Sequence, residues 1–480
     1  MEYMDMQHRI NLSLISTAVL AALTSGTAFA NDVDPNDIRN QSAAAVDLAT
    51  EAKQAFYDGS TSRLHSFLYI RDREQKNMTT GEWSPNIENQ TLQLAWDYKS
   101  GYFKDTVGLD IWANTNLQLG NTTGMSEILY FDHECQNNPA YDGKGCEKSY
   151  AALSVAALKA KFGNEDVGLA LRGGYTQINI GTIRSSWGLN PHAYRGLEAK
   201  AHFGNLIVGY AIADQFKNDW RKEFLPMTTK WHQNQLKGAD TTNTVIDHIQ
   251  TLGAIYKFDQ GQIDVGYGVG KDYRQNWQAL GKYNFDLGSA KVGLSAFYHG
   301  SILEKSALTT NVVSNKEEAQ SYLGLGANIK HGGFTWIAGV SSTDTGGQEL
   351  SYNFRLTPWA NSDNRNFQQT TSGLDDYNAD GTKAVKLAVN YNFASWDLPE
   401  LTAGIGGNYG TNVRSSKTEK EYDGSMHSFD WNIGYKFMDG ALEGLNIRTF
   451  RSKFRGDNVE HYKADRNDTK VLISYSVKLK

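Results

Sequence analysis

The sequence predicts an all-β chain folded as a single antiparallel transmembrane β-barrel of about 18 strands, with long extracellular loops and short periplasmic turns. Three observations predict it. Period-two alternation of apolar and polar residues recurs along nearly the whole chain, while helical periodicity is almost absent. The connections between alternating segments are short after even-numbered strands and mostly long and polar after odd-numbered ones, which gives the assembly a turn end and a loop end. Across 480 residues there are 46 glycines, only 7 prolines and 12% aromatics, with a negative mean hydropathy, which suits turns and half-wet strands better than a helical bundle.

From the amino terminus, Arg9, an apolar run over residues 10–23 and the small-residue end Ala28-Phe29-Ala30 read as a secretory signal peptide, residues 1–30, cleaved after Ala30. Glu2 and Asp5 are unusual ahead of such a run, and Met6 offers a more regular start. The run is short of the roughly 20 apolar residues that a membrane-spanning helix needs, and no other stretch approaches that length. Residues 31–56 are Ala- and Asp-rich without alternation. They read as a periplasmic leader or a segment that plugs the lumen, with helical content from Ala43 to Ala55 compatible with either.

The barrel is expected over residues 57–480. Its first nine strands fall near residues 63–71, 90–98, 103–114, 151–162, 167–176, 195–202, 206–214, 247–258 and 262–270. The other nine fall near 276–284, 291–300, 319–331, 334–341, 384–391, 402–410, 426–435, 445–453 and 469–477. Leu92, Leu94 and Trp96 alternate with Gln93, Ala95 and Asp97, and Val167, Leu169 and Leu171 with Gly168, Ala170 and Arg172. One phase is apolar and the other so often Gly, Ala, Asn, Thr or charged that the second reads as a wet lumen and the first as a lipid face. The long connections are expected over 72–89, 177–194, 215–246, 301–318 and 342–383. Aromatic residues such as Tyr98, Tyr102, Phe258, Tyr283, Tyr391 and Tyr435 flank the short turns, as an interfacial girdle would.

The formal net charge of −6, changed little by removing Arg9, Glu2 and Asp5 with the leader, argues against nucleic acid as a partner. No nucleophile elbow, Ser-x-x-Lys or His-Glu-x-x-His occurs, so hydrolytic chemistry has no motif and no enzyme is expected. Cys135 and Cys146 lie close together in a polar stretch. In an oxidising compartment they read as a loop-tying disulfide, the alternative being two free thiols or a metal pair. Asp376-Tyr-Asn378-Ala-Asp380-Gly381 resembles half a calcium loop, but Leu387 stands where the bidentate Glu belongs, so an Asx-rich turn is expected. Asp132-His133-Glu134 reads as a solvated loop.

The strongest functional candidate is the third long connection, from Gly181 through Arg184, Trp187, Pro191 and Tyr194 to Gly196, where cations and aromatics mix. Charged side chains at a constriction select solutes electrostatically, and an aromatic face can stack on a sugar ring. The plain alternative is an outer loop whose Trp merely packs.

Several segments together resemble the OprD porin family, and within it the chitoporin-type members, over nearly the whole mature length. They are Arg63–Arg73 (RLHSFLYIRDR), Trp96–Tyr102 (WDYKSGY), Val107–Asp110, Asp247-His248, Asp376–Ala384 and Trp396-Asp-Leu-Pro399, with Trp187, Pro191 and Tyr194–Glu198 in the third loop. The resemblance implies an 18-stranded, usually monomeric outer-membrane barrel whose third loop folds into the lumen. By position, Arg184, Trp187, Tyr194, Arg195 and Glu198 would then line or support the eyelet, and Arg172 joins them as a substrate-binding residue. It further implies contact with outer-membrane lipid and lipopolysaccharide, delivery by the barrel-assembly machinery, and neither cofactor nor gradient coupling. Members pass basic amino acids, small aromatic acids or sugars. Lumen cations that read as isolated, beside 11 Trp and 25 Tyr, favour a neutral solute, chitooligosaccharides first and amino acids or small acids second. The competing class is a non-conducting barrel serving as an enzyme or adhesion receptor, and a third loop lying outside the lumen would favour it.

Overall fold

The computed structural model describes residues 48–120, 123, 128–131, 146–185, 189–218, 220–229, 245–304, 319–352, 355–357 and 369–480. The expected signal peptide, residues 31–47, Asp132-His133-Glu134, Cys135 and Trp187 lie outside the described residues. The chain divides into two compact units, residues 1–54 and 55–480; in the first, residues 48–53 are helical.

The second unit is a closed antiparallel barrel of 18 strands. The first nine are β1 (Thr61–Lys76), β2 (Trp83–Lys99), β3 (Val107–Gln118), β4 (Tyr150–Gly163), β5 (Val167–Thr176), β6 (Ala193–Phe203), β7 (Leu206–Lys217), β8 (Ile249–Phe258) and β9 (Gly261–Gly270). They continue as β10 (Arg274–Leu287), β11 (Ala290–Leu303), β12 (Gln320–His331), β13 (Phe334–Asp344), β14 (Lys383–Asn392), β15 (Leu401–Val413), β16 (Gly424–Lys436), β17 (Asn446–Asp457) and β18 (Arg466–Lys478). All eighteen expected strands are present. Pairing of β1 with β18, from Arg63↔Lys478 to Gln75↔Arg466, closes the sheet. Closure leaves no free edge, so the ladder N–H and C=O groups are satisfied within the barrel, as a strand-built bilayer span requires. Among the described residues no helix is long and apolar enough to cross a membrane.

The two phases of alternation separate as expected. In β2, Leu94 and Trp96 are exposed on the outer surface while Gln93, Ala95 and Asp97 are buried inside. Leu252, Leu387 and Ile405 continue the outward apolar face, each more than half exposed. At the turn end Tyr256, Phe258, Tyr283 and Phe285 form a chain of rings 5.9–6.4 Å apart, and Phe334 packs on Tyr391 at 4.4 Å. This is the lower girdle. The turns there are tight: Gly332 and Gly333 join β12 to β13 with φ of +55° and +84°, a left-handed pair that suits a two-residue hairpin. In the turn after β4, the Asn164 side chain accepts hydrogen bonds from the amides of Asp166 and Val167, both at 2.9 Å. Phe56 stacks on Phe103 at the same end, and the Gly101 amide donates to the Ala55 carbonyl.

One connection differs from expectation. The first outer loop, expected over 72–89, shrinks to residues 77–82 because β1 and β2 continue pairing to Lys76↔Trp83. These upper segments are charged and polar, so their strand character comes from the ladder and not from an apolar phase.

Candidate functional site

After β5 the chain turns inward. Residues Asn179–Ile180 pair with Ile183–Arg184 as a miniature hairpin turning at Gly181 and Thr182. Its tip rests on the inner wall of β8 to β10: the Thr182 amide donates to Thr251 Oγ1 at 2.9 Å, and Gln278 Nε2 donates to the Gly181 carbonyl at 2.7 Å. Gly209, Gly253 and Gly266, register partners across β7, β8 and β9, make this approach possible. A Cβ on Gly253 would stand 2.4 Å from the Gly181 nitrogen, and one on Gly266 would stand 2.6 Å from the Gly181 Cα. Ile178, Ile180 and Ile183 are fully buried in this seat with Tyr194 and Phe216. The returning arm meets β2 and β3: Gln93 Nε2 donates to the Leu189 carbonyl at 2.7 Å and also to Asn190, and the Trp112 indole approaches Asn190 Oδ1 at 3.4 Å. The third loop therefore lies inside the lumen and touches its wall on two sides.

In a second loop, residues 345–382 between β13 and β14, the described residues 369–371 also reach the inner wall. Lys386 Nζ donates to the Thr371 carbonyl at 2.5 Å, the Thr370 and Ser341 hydroxyls meet at 2.9 Å, and the Gln369 carbonyl lies where a Cβ on Gly339 would be. Its far end carries the segment that resembles a calcium loop. Asp380 is wholly buried and pairs with Arg414 at 3.2 Å while accepting from the Thr345 amide at 2.8 Å. Burial pushes the Asp380 carboxyl above its ordinary range, with the Thr345 hydrogen bonds and Arg414 pulling the other way. Tyr377 and Ala379 sit in an apolar cluster with Val413, Met426, Phe454 and Val459. The segment is held as a turn in which the Asp375 side chain accepts from the Tyr377 amide, and its Asp380 is engaged by Arg414.

Away from these loop anchors, β17, β18, β1 and β3–β6 carry charged side chains on their inward phase. The cations there are not isolated, which corrects the expectation. Asp110 holds Lys159 at 2.8 Å and Arg172 at 2.6 Å. Asp468 takes a bidentate pair from Arg71, at 3.1 and 2.7 Å, with Lys470 at 3.5 Å. Glu198 holds Lys200 at 2.9 Å. The aromatic complement is also smaller than expected: Trp96, Trp336 and Trp396 are exposed on the outside, and the inward rings of this wall include Phe67, Tyr69, Trp112 and Phe450, with Tyr194 and Phe454 wholly buried under the loops. Composition counts a Trp on either phase equally, whereas only register tells them apart.

The candidate residues divide accordingly. Arg172 lines the lumen beside Asp110. Arg184 pairs with Asp264 of β9, which is wholly buried, and so anchors the third loop. Tyr194 is wholly buried beneath that loop. Glu198 accepts from the Asn179 amide at 2.7 Å and holds the hairpin's base. Arg195 is corrected: it lies one residue out of phase with Tyr194 and Glu198, turns to the outer surface, and pairs there with Asp214 at 2.8 Å. Trp187 lies outside the described residues. Cys146 is buried and disulfide-bonded, while Cys135 lies outside the described residues. Sequence reasoning missed Gln93, Asn190, Asp110 and Asp264 as site residues, and placed the 342–383 connection outside without seeing that part of it reaches the lumen wall. The one available signal was the spacing of Gly266, Gly268 and Gly270 on a single phase of β9, which marks a wall that something approaches closely. Glu198→Gln is expected to weaken the charge-assisted bond to Asn179 by about 1 kcal/mol. Open-channel current noise should rise with little change in mean conductance.

The family model described as "outer membrane porin, OprD family" matches residues 54–479, which is nearly the whole of this closed 18-stranded barrel. The chain belongs to the OprD family. The chitoporin of Escherichia coli (strain K12) is 26% identical over 421 residues, covering 82% of this porin and 85% of that protein. A BenF-like porin from Pseudomonas fluorescens Pf-5 superposes with a TM-score of 0.70 at 20% identity, and Pseudomonas aeruginosa OpdK with vanillate does so with 0.69 at 16%. Each comparison covers 88% of this porin and 100% of the other chain. This porin is thus an outer-membrane β-barrel of a channel-forming family.

Proposed function

We propose that this porin passes neutral or charge-balanced oligosaccharides, chitooligosaccharides first, by passive diffusion and without catalysis. The observation that carries the reading is the pairing of lumen cations with acids: Lys159 and Arg172 with Asp110, Arg71 and Lys470 with Asp468, Lys200 with Glu198. A wall of neutralised pairs offers many hydrogen-bond donors and acceptors to sugar hydroxyls without holding an ion. Weak sites in series let solute enter and leave. The chitoporin relative supports the same class. A channel for basic amino acids or small acids is the second reading. It is favoured by Arg448, whose guanidinium lies 4.7 Å over the Phe450 ring and offers a cation with an aromatic face beside it. Export through the signal peptide, handling by the assembly machinery and contact with lipopolysaccharide belong to the same proposal.

The test is single-channel conductance in a planar bilayer with chitohexaose, arginine and vanillate added in turn. Block by chitohexaose at the lowest concentration is the expected result. Block by vanillate or arginine alone would move the porin to the second reading, and an absence of conductance would end both.

A further inference from the structure

Toward the turn end from the seat of the second loop, the inward phase of β14 to β16 becomes neutral. Lys386 on β14, Asn408 on β15 and Asp430 on β16 hold that loop through the Thr371 carbonyl, the Thr370 carbonyl and the Gly373 amide. In the same phase, and nearer the turns, come Asn390, Gly404 and Asn432, which are direct register partners. Gly404 has no side chain to separate its neighbours, and both carboxamides lean over it. A Cβ built there would overlap Asn390 Oδ1 and stand 2.8 Å from Asn432 Nδ2. An acceptor from β14 and a donor from β16 therefore converge on one spot of the lumen wall. The next inward position in the row is Phe450 on β17, half-buried, with the Arg448 guanidinium 4.7 Å from its ring centroid.

The barrel contains a second row of the same kind, and the comparison is informative. Asn284, Gly293 and Asn328 are register partners across β10, β11 and β12, and a Cβ on Gly293 would stand 2.6 Å from Asn328 Nδ2 and 2.9 Å from Asn284 Oδ1. There the amide nitrogens turn to the wall: Asn284 Nδ2 donates to the Gln260 carbonyl at 3.5 Å and Asn328 Nδ2 to the Gly293 carbonyl at 3.4 Å. That row continues into Ile337, not into a ring. The carboxamides of Asn390 and Asn432 make no hydrogen bond among the described residues, and both side chains are partly exposed. Their donor and acceptor are open to a solute.

We propose that Asn390, Asn432 and Phe450 form a subsite, on the turn side of the second loop, that binds the acetamido group of an N-acetylated sugar with the sugar ring against Phe450. The inference rests on the oligosaccharide reading above and adds the group that is recognised. The amide pair carries no net charge. A carboxylate would use only the donor and an ammonium only the acceptor, whereas an acetamido group, with one N–H and one C=O, uses both. Cross-strand neighbours such as Asn432 and Phe450 have Cβ atoms about 5 Å apart, so a ring lying on Phe450 has its substituents within reach of the amides. A few placed polar groups beside an apolar face is the usual composition of a small-molecule site.

The test is the residence time of single sugars in the full-length porin in planar bilayers. Chitohexaose carries an acetamido group on each ring where cellohexaose carries a hydroxyl, so chitohexaose should stay about fivefold longer or more in the parent channel. Asn390→Ala and Asn432→Ala should each shorten the chitohexaose residence about fivefold, and together roughly tenfold or more, with cellohexaose little changed. Gly404→Ala keeps both amides but crowds them apart, and should act like one of the single variants. Asn328→Ala, in the other row, should behave like the parent. Heat-modifiable mobility on gels checks that each variant is folded. Equal chitohexaose residence in the parent and the Asn390→Ala/Asn432→Ala variant would overturn the subsite and leave the uptake reading standing. An equal loss for both sugars would overturn the acetamido assignment. No block of the parent by chitohexaose would overturn the uptake reading and the subsite together.

Discussion

Gly266→Val should unseat the third loop and raise single-channel conductance severalfold, with loss of solute block. A Cβ at this position would lie 2.6 Å from the Gly181 Cα and 2.8 Å from its carbonyl carbon, and the valine methyls would reach further. The obstructing atoms are backbone, so no rotamer change relieves the clash. The barrel tolerates the substitution, because valine suits a strand and the ladder on either side is intact. The loop must therefore move, giving up the Thr182–Thr251 and Gly181–Gln278 hydrogen bonds and drawing Arg184 from Asp264. Breaking the Arg184–Asp264 pair opposes this movement, but the clash is with backbone and cannot be relieved by side chains, so the hairpin gives way despite that cost. Gly281→Val is the control: that glycine has nothing within 4 Å of a built Cβ, and its variant should conduct like the parent. A Gly266→Val channel with parental conductance and block would show that the hairpin does not set the constriction.

Asp380→Asn should release the second loop. Asp380 and Arg414 are almost wholly buried, and their pair joins the 345–382 loop to the segment after β15. The same junction includes the Arg414 amide to the Asp380 carbonyl at 2.9 Å and Arg414 Nη2 to the Glu349 carbonyl at 3.1 Å. Asparagine keeps the shape and removes the charge, so Arg414 is left buried without its anion. The expected loss is about 3–5 kcal/mol, concentrated in the loop cluster and not in the barrel. Limited proteolysis within 345–382 should quicken by more than an order of magnitude, while the barrel keeps its heat-modifiable mobility on gels. Replacing both partners, as Asp380→Asn with Arg414→Met, should recover much of the protection, because an apolar substitute for the whole pair carries no stranded charge. Equal cleavage rates in the single variant and the parent would show that the pair does not hold the loop.

These expectations differ in how much of their basis can be read from the chain alone. The strand that carries Gly266 is visible as Gly261–Gly270 because its alternation is regular, and the expected span of 262–270 is off by one residue. That Gly266 faces Gly253, and that both face Gly181, depends on register between strands and on a loop arriving from β5, neither of which leaves a local signature. Arg195 shows the same limit from the other side. Position in a motif placed it at the eyelet with Tyr194 and Glu198, yet a strand turns every second residue away, and Arg195 meets Asp214 on the outer surface. The 345–382 loop read as another long outer connection because its anchors are scattered: Lys386 on β14, Asn408 on β15 and Lys463 in the connection between β17 and β18.

By itself the sequence determined the barrel: the number of strands, their order, the end with short turns, and which phase meets lipid. All of these follow from local alternation and turn chemistry, which act over a few residues and survive without knowledge of neighbours. The tertiary structure alone decided which loops enter the lumen, which acid each lumen cation meets, and which carboxamides converge over Gly404. Those outcomes arise from closing the sheet, which sets residues hundreds of positions apart, such as Arg71 and Asp468, side by side at 2.7 Å. No local pattern encodes that distance.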